Sequence, residues 1–296
     1  MPAIDTEVLT IAYDDLGPAG GPVVFLLHGW PDSPRGWRFI APALVESGWR
    51  VVMPGNRGTG ETRFRSPETV RDGQAVALAQ DALDLADSLG IERFAVVGHD
   101  WGARTAYTLA AVAPHRLTAI AGLALAYQPR GVFSLPEFSQ AQAFWYQWLM
   151  YVDAGAAAVR DDPLGFARRM WDTWSPRGWY DETEFTATAA DFENPDWVPI
   201  TLNAYRSRFL AVEPRDPRYD PLREQVRVTD RLPARTLMIQ GGSDSCDEPE
   251  SSEGQDRHFD DYRREVLPGV GHFPHRESPA MVAELVLTHL GRPVGG

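Results

Sequence analysis

Short aliphatic runs recur through the first half of the chain, each closed by glycine or proline: "VVFLLHG" at 23–29, "RVVMPG" at 50–55, "RFAVVGH" at 93–99 and "AIAGLALA" at 119–126. Runs this short, without a polar residue at every second position, predict strands buried on both faces of a parallel sheet. Between them, "SPETVRDGQAVALAQDALDLADSLG" at 66–90 predicts a helix: Val76, Ala79, Leu83 and Ala86 fall on one face, and Gly90 is placed to end it. Strand alternating with helix implies an α/β fold with right-handed crossovers. The pattern returns late in the chain, where 234–242 and 264–272 predict strands. Residues 278–291 predict a terminal helix with Ser278 as cap, Pro279 in the first turn and Gly291 just past the end.

Residues 130–221 break this rhythm. They hold no convincing buried strand, yet carry six of the ten tryptophans: Trp145, Trp148, Trp171, Trp174, Trp179 and Trp197. The segment predicts a helical, aromatic-rich cap inserted into a core made of residues 1–129 and 222–296. The acidic stretch 243–261 predicts an exposed loop leading into a helix.

Composition narrows the function classes. A chain of 296 residues that is 44% hydrophobic can bury a large core. The net charge is −13, all 28 basic residues are arginine, and they are scattered, which argues against nucleic acid and against an anionic membrane surface. The longest apolar stretches are half of the roughly 20 residues that a membrane-spanning helix needs. One cysteine, Cys246, admits no internal disulfide, and the start "MPAIDTEVLT" lacks the basic and apolar regions of a signal peptide. The expectation is a soluble cytoplasmic protein, monomer or homodimer.

The candidate chemistry sits at the ends of the predicted strands. "FAVVGHDWG" runs from a strand through a Gly-x-Asp-x-Gly corner into a helix, with Asp100 at the apex between Gly98 and Gly102. In a nucleophile elbow the small flanking residues let a strained turn close; an Asp there could equally cap a helix. "LLHGWPDS" at 26–33 ends a strand in His-Gly-aromatic-Pro. An acid and a histidine follow later, Asp244 in "MIQGGSD" and His272 in "PGVGHFP". Nucleophile, acid, histidine is the chain order of a hydrolase triad on an α/β sheet. Asp247 and His275 rank below this pair because they lie further past the strand ends, where side chains are expected to be held less rigidly. Cys246 reads as incidental.

Together "HGWP", "GHDWG", "GGSD" and "GVGHFP" resemble the epoxide hydrolase branch of the α/β-hydrolase superfamily, over nearly the whole chain. The resemblance implies the α/β-hydrolase fold: a mostly parallel central sheet flanked by helices, with an inserted helical cap. It implies Asp100 as nucleophile, His272 as base, Asp244 as its partner, and the backbone N–H groups of Trp30 and Trp101 as an oxyanion hole. "FWYQWLMY" at 144–151 and "TLNAYRSRF" at 201–209 resemble the two cap segments that carry oxygen-binding tyrosines, placing Tyr146 and Tyr205 there. His28, Pro31, Trp148 and Trp179 are expected on the substrate pocket. The chain departs from the family in carrying Gly55 where an Asp is usual, and in a short N-terminus expected to lack the first sheet strand.

The implied reaction suits an acid at the elbow. A carboxylate with an ordinary pKa of about 4 is ionised at neutral pH and can attack a saturated epoxide carbon without a general base. Two phenols would stabilise the departing oxygen, and water activated by His272 would then cleave the ester to a vicinal diol. No cofactor or metal is implied: no HExxH, paired CxxC or dinucleotide-type glycine pattern occurs. The partners would be a small epoxide, apolar or aromatic given the cap tryptophans, and water. The alternative is a haloalkane dehalogenase with the same Asp-His-Asp triad; Trp101 could donate to a halide, but the tyrosines would then be unexplained. A fluoroacetate-type dehalogenase fits less well because Trp101 stands where an arginine is usual. A binding protein that lost turnover is a further reading, and a serine esterase is excluded because position 100 has no hydroxyl.

Overall fold

The computed structural model describes residues 1–210 and 213–291. Five strands are buried along most or all of their length: β3 (Val23–Leu27), β4 (Arg50–Pro54), β6 (Phe94–His99), β7 (Leu117–Leu123) and β8 (Thr236–Gly241). Their continuous apolar runs follow from burial on both faces. Phe25, Val52 and Val96 pack on one side against α2 (Ala75–Ser88) and α3 (Trp101–Val112). Val24, Leu26, Val51 and Val97 pack on the other against α1 (Ala41–Glu46) and α11 (Pro279–Leu290).

The sheet runs β1-β2-β4-β3-β6-β7-β8-β9, with β1 (Ala3–Asp5), β2 (Leu9–Leu16) and β9 (Tyr262–Leu267) completing it and β5 (Arg63–Phe64) pairing β2 off that path. From β4 to β9 the strands are parallel, while β1, β2 and β5 pair antiparallel. The chain leaves β3 toward β4 on one side and returns to β6 on the other. Beyond the carboxyl ends of β3 and β6 lies the crevice where open α/β sheets bind ligands.

Four expectations require correction. The N-terminal strands are present: β2 pairs β4 from Tyr13–Pro54 to Leu16–Val51. Its far end is exposed and polar, so it shows no continuous apolar run. The helix expected over 66–90 starts only at Ala75. Residues before it are pinned outside the helix by tertiary contacts, with the Gly73 N–H on Asn203 Oδ1 (2.8 Å) and Asp72 Oδ2 accepting the Asp216 N–H (2.8 Å). The strand expected over 264–272 ends at Leu267, leaving His272 on a loop. The 243–261 stretch enters strand β9 rather than a helix, and Asp244, Cys246, Asp247 and Ser252 within it are buried.

Between β7 and β8 the regular elements are helical: α4 (Phe138–Ala143), α5 (Trp145–Tyr151), α6 (Asp153–Asp161), α7 (Pro163–Thr173), α8 (Glu182–Ala189), α9 (Trp197–Arg206) and α10 (Asp220–Val228), joined by short 3₁₀ turns. Trp30, from the loop after β3, contacts Trp101, Tyr146, Phe166, Trp174, Trp197 and Tyr205 with ring centroids 5.3–6.3 Å apart. Each such buried ring contributes on the order of 2 kcal/mol through removed apolar area. This cluster, over the carboxyl ends of the strands, seats the helical segment on the sheet.

Candidate active site

Asp100 occupies the corner between β6 and α3 with φ 48° and ψ −109°, a backbone conformation that costs a non-glycine residue about 1–3 kcal/mol. Its neighbours enforce the turn. A Cβ on Gly98 would lie 2.1 Å from the Gly102 carbonyl oxygen, one on Gly102 would lie 1.9 Å from that of Leu27, and one on Gly29 would meet the Asp100 Cβ at 2.6 Å. Gly98→Ala should therefore destabilise the protein by about 3 kcal/mol. Gly20→Ala, where nothing lies within 4 Å, should stay within about 0.5 kcal/mol by thermal denaturation.

The carboxylate is buried at the N-terminus of α3, and its Oδ1 accepts the Trp30 backbone N–H at 2.8 Å. Burial pushes its pKa above the ordinary carboxylate value. His272, the N–H groups of Trp30 and Trp101, and the Arg104 charge oppose that rise without cancelling it. Asp100 is thus harder to ionise than an unperturbed aspartate, and these partners favour its charged form.

His272 faces Asp100 across the crevice, with Nε2 3.8 Å from Asp100 Oδ2. Nδ1 lies 2.9 Å from Asp244 Oδ2. Asp244 is itself held by the N–H groups of Cys246 (2.8 Å) and Asp247 (3.1 Å) on Oδ1. Burial opposes protonation of His272, yet the adjacent Asp244 charge wins and raises its pKa well above the ordinary histidine value. The loop backbone is clamped. Ser175 Oγ accepts the His272 N–H (2.8 Å), Glu277 accepts those of Gly271 (2.7 Å) and Phe273 (2.9 Å), and the Ser175 hydroxyl donates to Glu277 (2.7 Å).

Tyr146 on α5 and Tyr205 on α9 are buried above this pair, ring centroids 5.4 Å apart. Burial raises both phenol pKa values well above normal, and the Asp100 charge adds to the rise in each. Both remain protonated donors. Each oxygen already accepts a hydrogen bond: Tyr146 from Gln147 Nε2 at 3.0 Å, Tyr205 from the Trp101 indole at 3.2 Å. Accepting one bond strengthens the donation of the remaining hydrogen. Cys246 is not incidental in position, since its Sγ lies 3.6 Å from the Tyr146 hydroxyl. Burial pushes its thiol up to about 12, so it is not a thiolate there.

The four residues expected on the pocket divide differently. His28 accepts the Asn56 N–H at 3.0 Å and, with Trp30 and Trp101, lines a crevice of only about 10 Å³. The Pro31 carbonyl accepts the Trp171 indole N–H at 2.7 Å, an anchor for the helical segment. Trp148 and Trp179 stand elsewhere. Trp148 packs on Phe133 and Phe209, and Trp179 stacks on Phe273 at 4.4 Å. Their indole N–H groups are spent on the carbonyls of Ala141 and Trp171.

Asp247 and His275 are as rigid as the residues ranked above them. Asp247 accepts the Ala126 N–H at 2.8 Å, and burial pushes its pKa up to about 7. His275 Nε2 lies 3.1 Å from Asp32, which Arg276 also pairs at 2.5 Å. Direction separates the candidates, since Asp244 meets His272 and Asp247 turns to backbone. Among the described residues, Asp32, His99 and His275 form one group with metal-ligand atoms within 4.8 Å of one another. An ion there would have to displace the Arg276 guanidinium from Asp32.

A nucleophile elbow, an acid–histidine pair in that chain order and backbone donors on the nucleophile define an α/β hydrolase. The alpha/beta hydrolase fold family model matches residues 22–279. Epoxide hydrolase B of Mycobacterium tuberculosis is 32% identical over 197 residues, covering 61% of this chain and 54% of that protein. Epoxide hydrolase A of the same organism is 31% identical over 184 residues, 59% of this chain and 55% of the relative. The chain spans about half the length of these curated relatives. A Klebsiella pneumoniae crystal structure described as a candidate epoxide hydrolase superposes with a TM-score of 0.91 at 33% identity, covering 98% of this chain and 96% of that one. The chain belongs to the α/β-hydrolase fold family, on the branch that holds the epoxide hydrolases. No helix among the described residues is long and apolar enough to cross a membrane.

Proposed function

We propose that the protein hydrolyses an epoxide to a vicinal diol through a covalent ester on Asp100. The observation that carries this reading is the pair of buried phenols over the nucleophile, each oxygen already accepting a protein hydrogen bond and each keeping a hydrogen for a leaving oxygen, which in Tyr146 meets only the weakly accepting Cys246 sulfur. Asp100 Oδ2 attacks an epoxide carbon, the C–O bond breaks, and Tyr146 and Tyr205 donate to the oxygen as charge develops on it. Oδ1 stays on the Trp30 N–H as the ester carbonyl.

Resting Asp100 and His272 stabilise one another's charged forms. Alkylation removes the Asp100 charge, which makes the imidazolium a stronger acid; its proton passes to the new alkoxide, giving the hydroxyl of the ester intermediate and leaving Nε2 free to act as base. Water between His272 Nε2 and the ester then gives up a proton and attacks the carbonyl carbon, with the resulting oxyanion held by the backbone donors. Collapse releases the diol. Residues 130–221 act as the cap in this reading. Aromatic walls from Trp30, Trp174 and Trp197 favour an apolar or aromatic substrate body.

The experiment is turnover of aryl and alkyl epoxides beside chloro- and bromoalkanes. Diol from the epoxides is expected, and halide release without diol formation would overturn the reading. The dehalogenase alternative is weakened by Trp101, whose indole N–H is engaged by Tyr205. Tyr146→Phe and Tyr205→Phe should each lower kcat/KM for the epoxide by about 10- to 100-fold, and the double variant by about 1000-fold or more, measured as diol formed.

A further inference from the structure

Two consecutive residues of the helical segment, Trp174 and Ser175, touch both loops that carry the acid–histidine pair. They lie just past α7, where Pro176 stops the helix. The Trp174 carbonyl accepts the Ser245 N–H at 3.2 Å, beside Asp244. Its ring stands edge-on to the His272 imidazole, centroids 4.8 Å apart. A serine near a helix end commonly bonds its own backbone. Ser175 instead spends its hydroxyl 97 and 102 residues along the chain. Its oxygen accepts the His272 N–H (2.8 Å), and its hydrogen goes to Glu277 (2.7 Å).

The fit has no slack. Ser175 is buried, and a Cβ on Gly271 would lie 2.3 Å from its Oγ and 2.5 Å from its Cα. Glu277 also accepts the N–H groups of Gly271 and Phe273, so one hydroxyl and one carboxylate hold three successive N–H groups centred on His272. The Phe273 ring is held from the same segment, by Trp171 at 5.4 Å and Trp179 at 4.4 Å. Asp100 is fixed from the sheet instead. Its N–H bonds the Leu123 carbonyl at 3.0 Å, and its Oδ1 takes the Trp30 N–H.

We propose that Ser175 is a positioning residue through which seating of the cap aligns His272, so that the cap governs hydrolysis of the ester rather than its formation. The proposal rests on the epoxide hydrolase reading and assigns the cap a share in its second step. Without the hydroxyl, the buried His272 N–H loses its acceptor and the loop must shift to find another. A shift of about 1 Å carries Nε2 away from the attacking water, and misplacement on that scale costs up to about 100-fold. Asp100 attacks the epoxide without a base. The His272 charge that favours its ionised form survives, because Asp244 still pairs the imidazole.

The test times both half-reactions by quenched flow and intact-protein mass spectrometry under excess epoxide. In Ser175→Ala, decay of the ester should slow about 10- to 100-fold while its formation changes less than about 3-fold, so ester accumulates. Glu277→Gln alters the same clamp from the other side and should show the same split; it decides alone if Ser175→Ala does not fold. Arg71→Gln loosens the cap elsewhere, at the Arg71–Asp196 ion pair (2.9 Å), and should leave the ratio of the two rates unchanged. Equal slowing of both steps in Ser175→Ala, an unchanged ester lifetime, or the same split in Arg71→Gln would overturn the proposal.

If no ester forms in any variant, His272→Gln included, the covalent reading has failed, and the titration of His272 in the resting protein decides its alignment separately. The Asp244 charge holds the His272 pKa high, so a loosened loop should lower it in Ser175→Ala and not in Arg71→Gln, followed by NMR of the imidazole. A His272 titration unmoved by Ser175→Ala would sink the alignment.

Discussion

Replacing Asp100 by alanine is expected to lower the rate of diol formation by about 10⁴-fold or more, with folding intact by circular dichroism. The size of the effect follows from the proposed role, since the covalent route closes when the group that forms the carbon–oxygen bond is lost. Asp100→Asn should behave similarly, because the amide keeps the shape and the contact to the Trp30 N–H but is not a nucleophile of comparable strength. Loss of only about 10-fold in both variants would mean that water attacks the epoxide directly and that Asp100 serves as an electrostatic group. Burial already raises the carboxyl pKa against four stabilising partners. Removing that strained, desolvated charge is therefore expected to raise the melting temperature rather than lower it, a reading of ground-state tension independent of the kinetics.

His272→Gln divides the reaction at its midpoint. The first step needs no base, so one equivalent of epoxide should still be consumed per enzyme, more slowly because loss of the His272 charge disfavours ionised Asp100. The second step loses its base and should slow by about 10²- to 10⁴-fold. Intact-protein mass spectrometry should show the ester accumulate as a mass gain equal to the substrate. An unmodified mass after mixing with epoxide would show that His272 acts before or during alkylation. The geometry favours the divided course: 3.8 Å between Nε2 and Asp100 Oδ2 is too long for a direct hydrogen bond.

The parallel strands were legible because their residues are buried on both faces and so read as unbroken apolar runs, β3 and β6 above all. The β2 strand was not, since its exposed end carries Asp14 and Asp15 on the outer part of the sheet. The start of α2 was misplaced because the constraint is tertiary: a Cβ on Gly73 would sit 2.4 Å from the Ile200 carbonyl, and no local pattern announces α9 as the neighbour. At the site, the elbow is local chemistry, and its glycines are explained by the 2.1 Å and 1.9 Å approaches. Tyr146 and Tyr205 came from resemblance alone. Trp101 and Arg104 act on Tyr205 from a separate element, α3, for which composition gives no sign, while Gln147 follows Tyr146 on α5. Trp148 and Trp179, expected on the pocket, pack on other rings, Trp148 on Phe133 and Phe209 and Trp179 on Phe273.

The covalent ester is tested most directly by one turnover in heavy-oxygen water with enzyme in excess over epoxide. Water attacking the carbonyl carbon leaves its oxygen on the enzyme, so the peptide containing Asp100 should gain one label while the diol keeps natural mass. Label confined to the diol, with that peptide unchanged, would contradict the account.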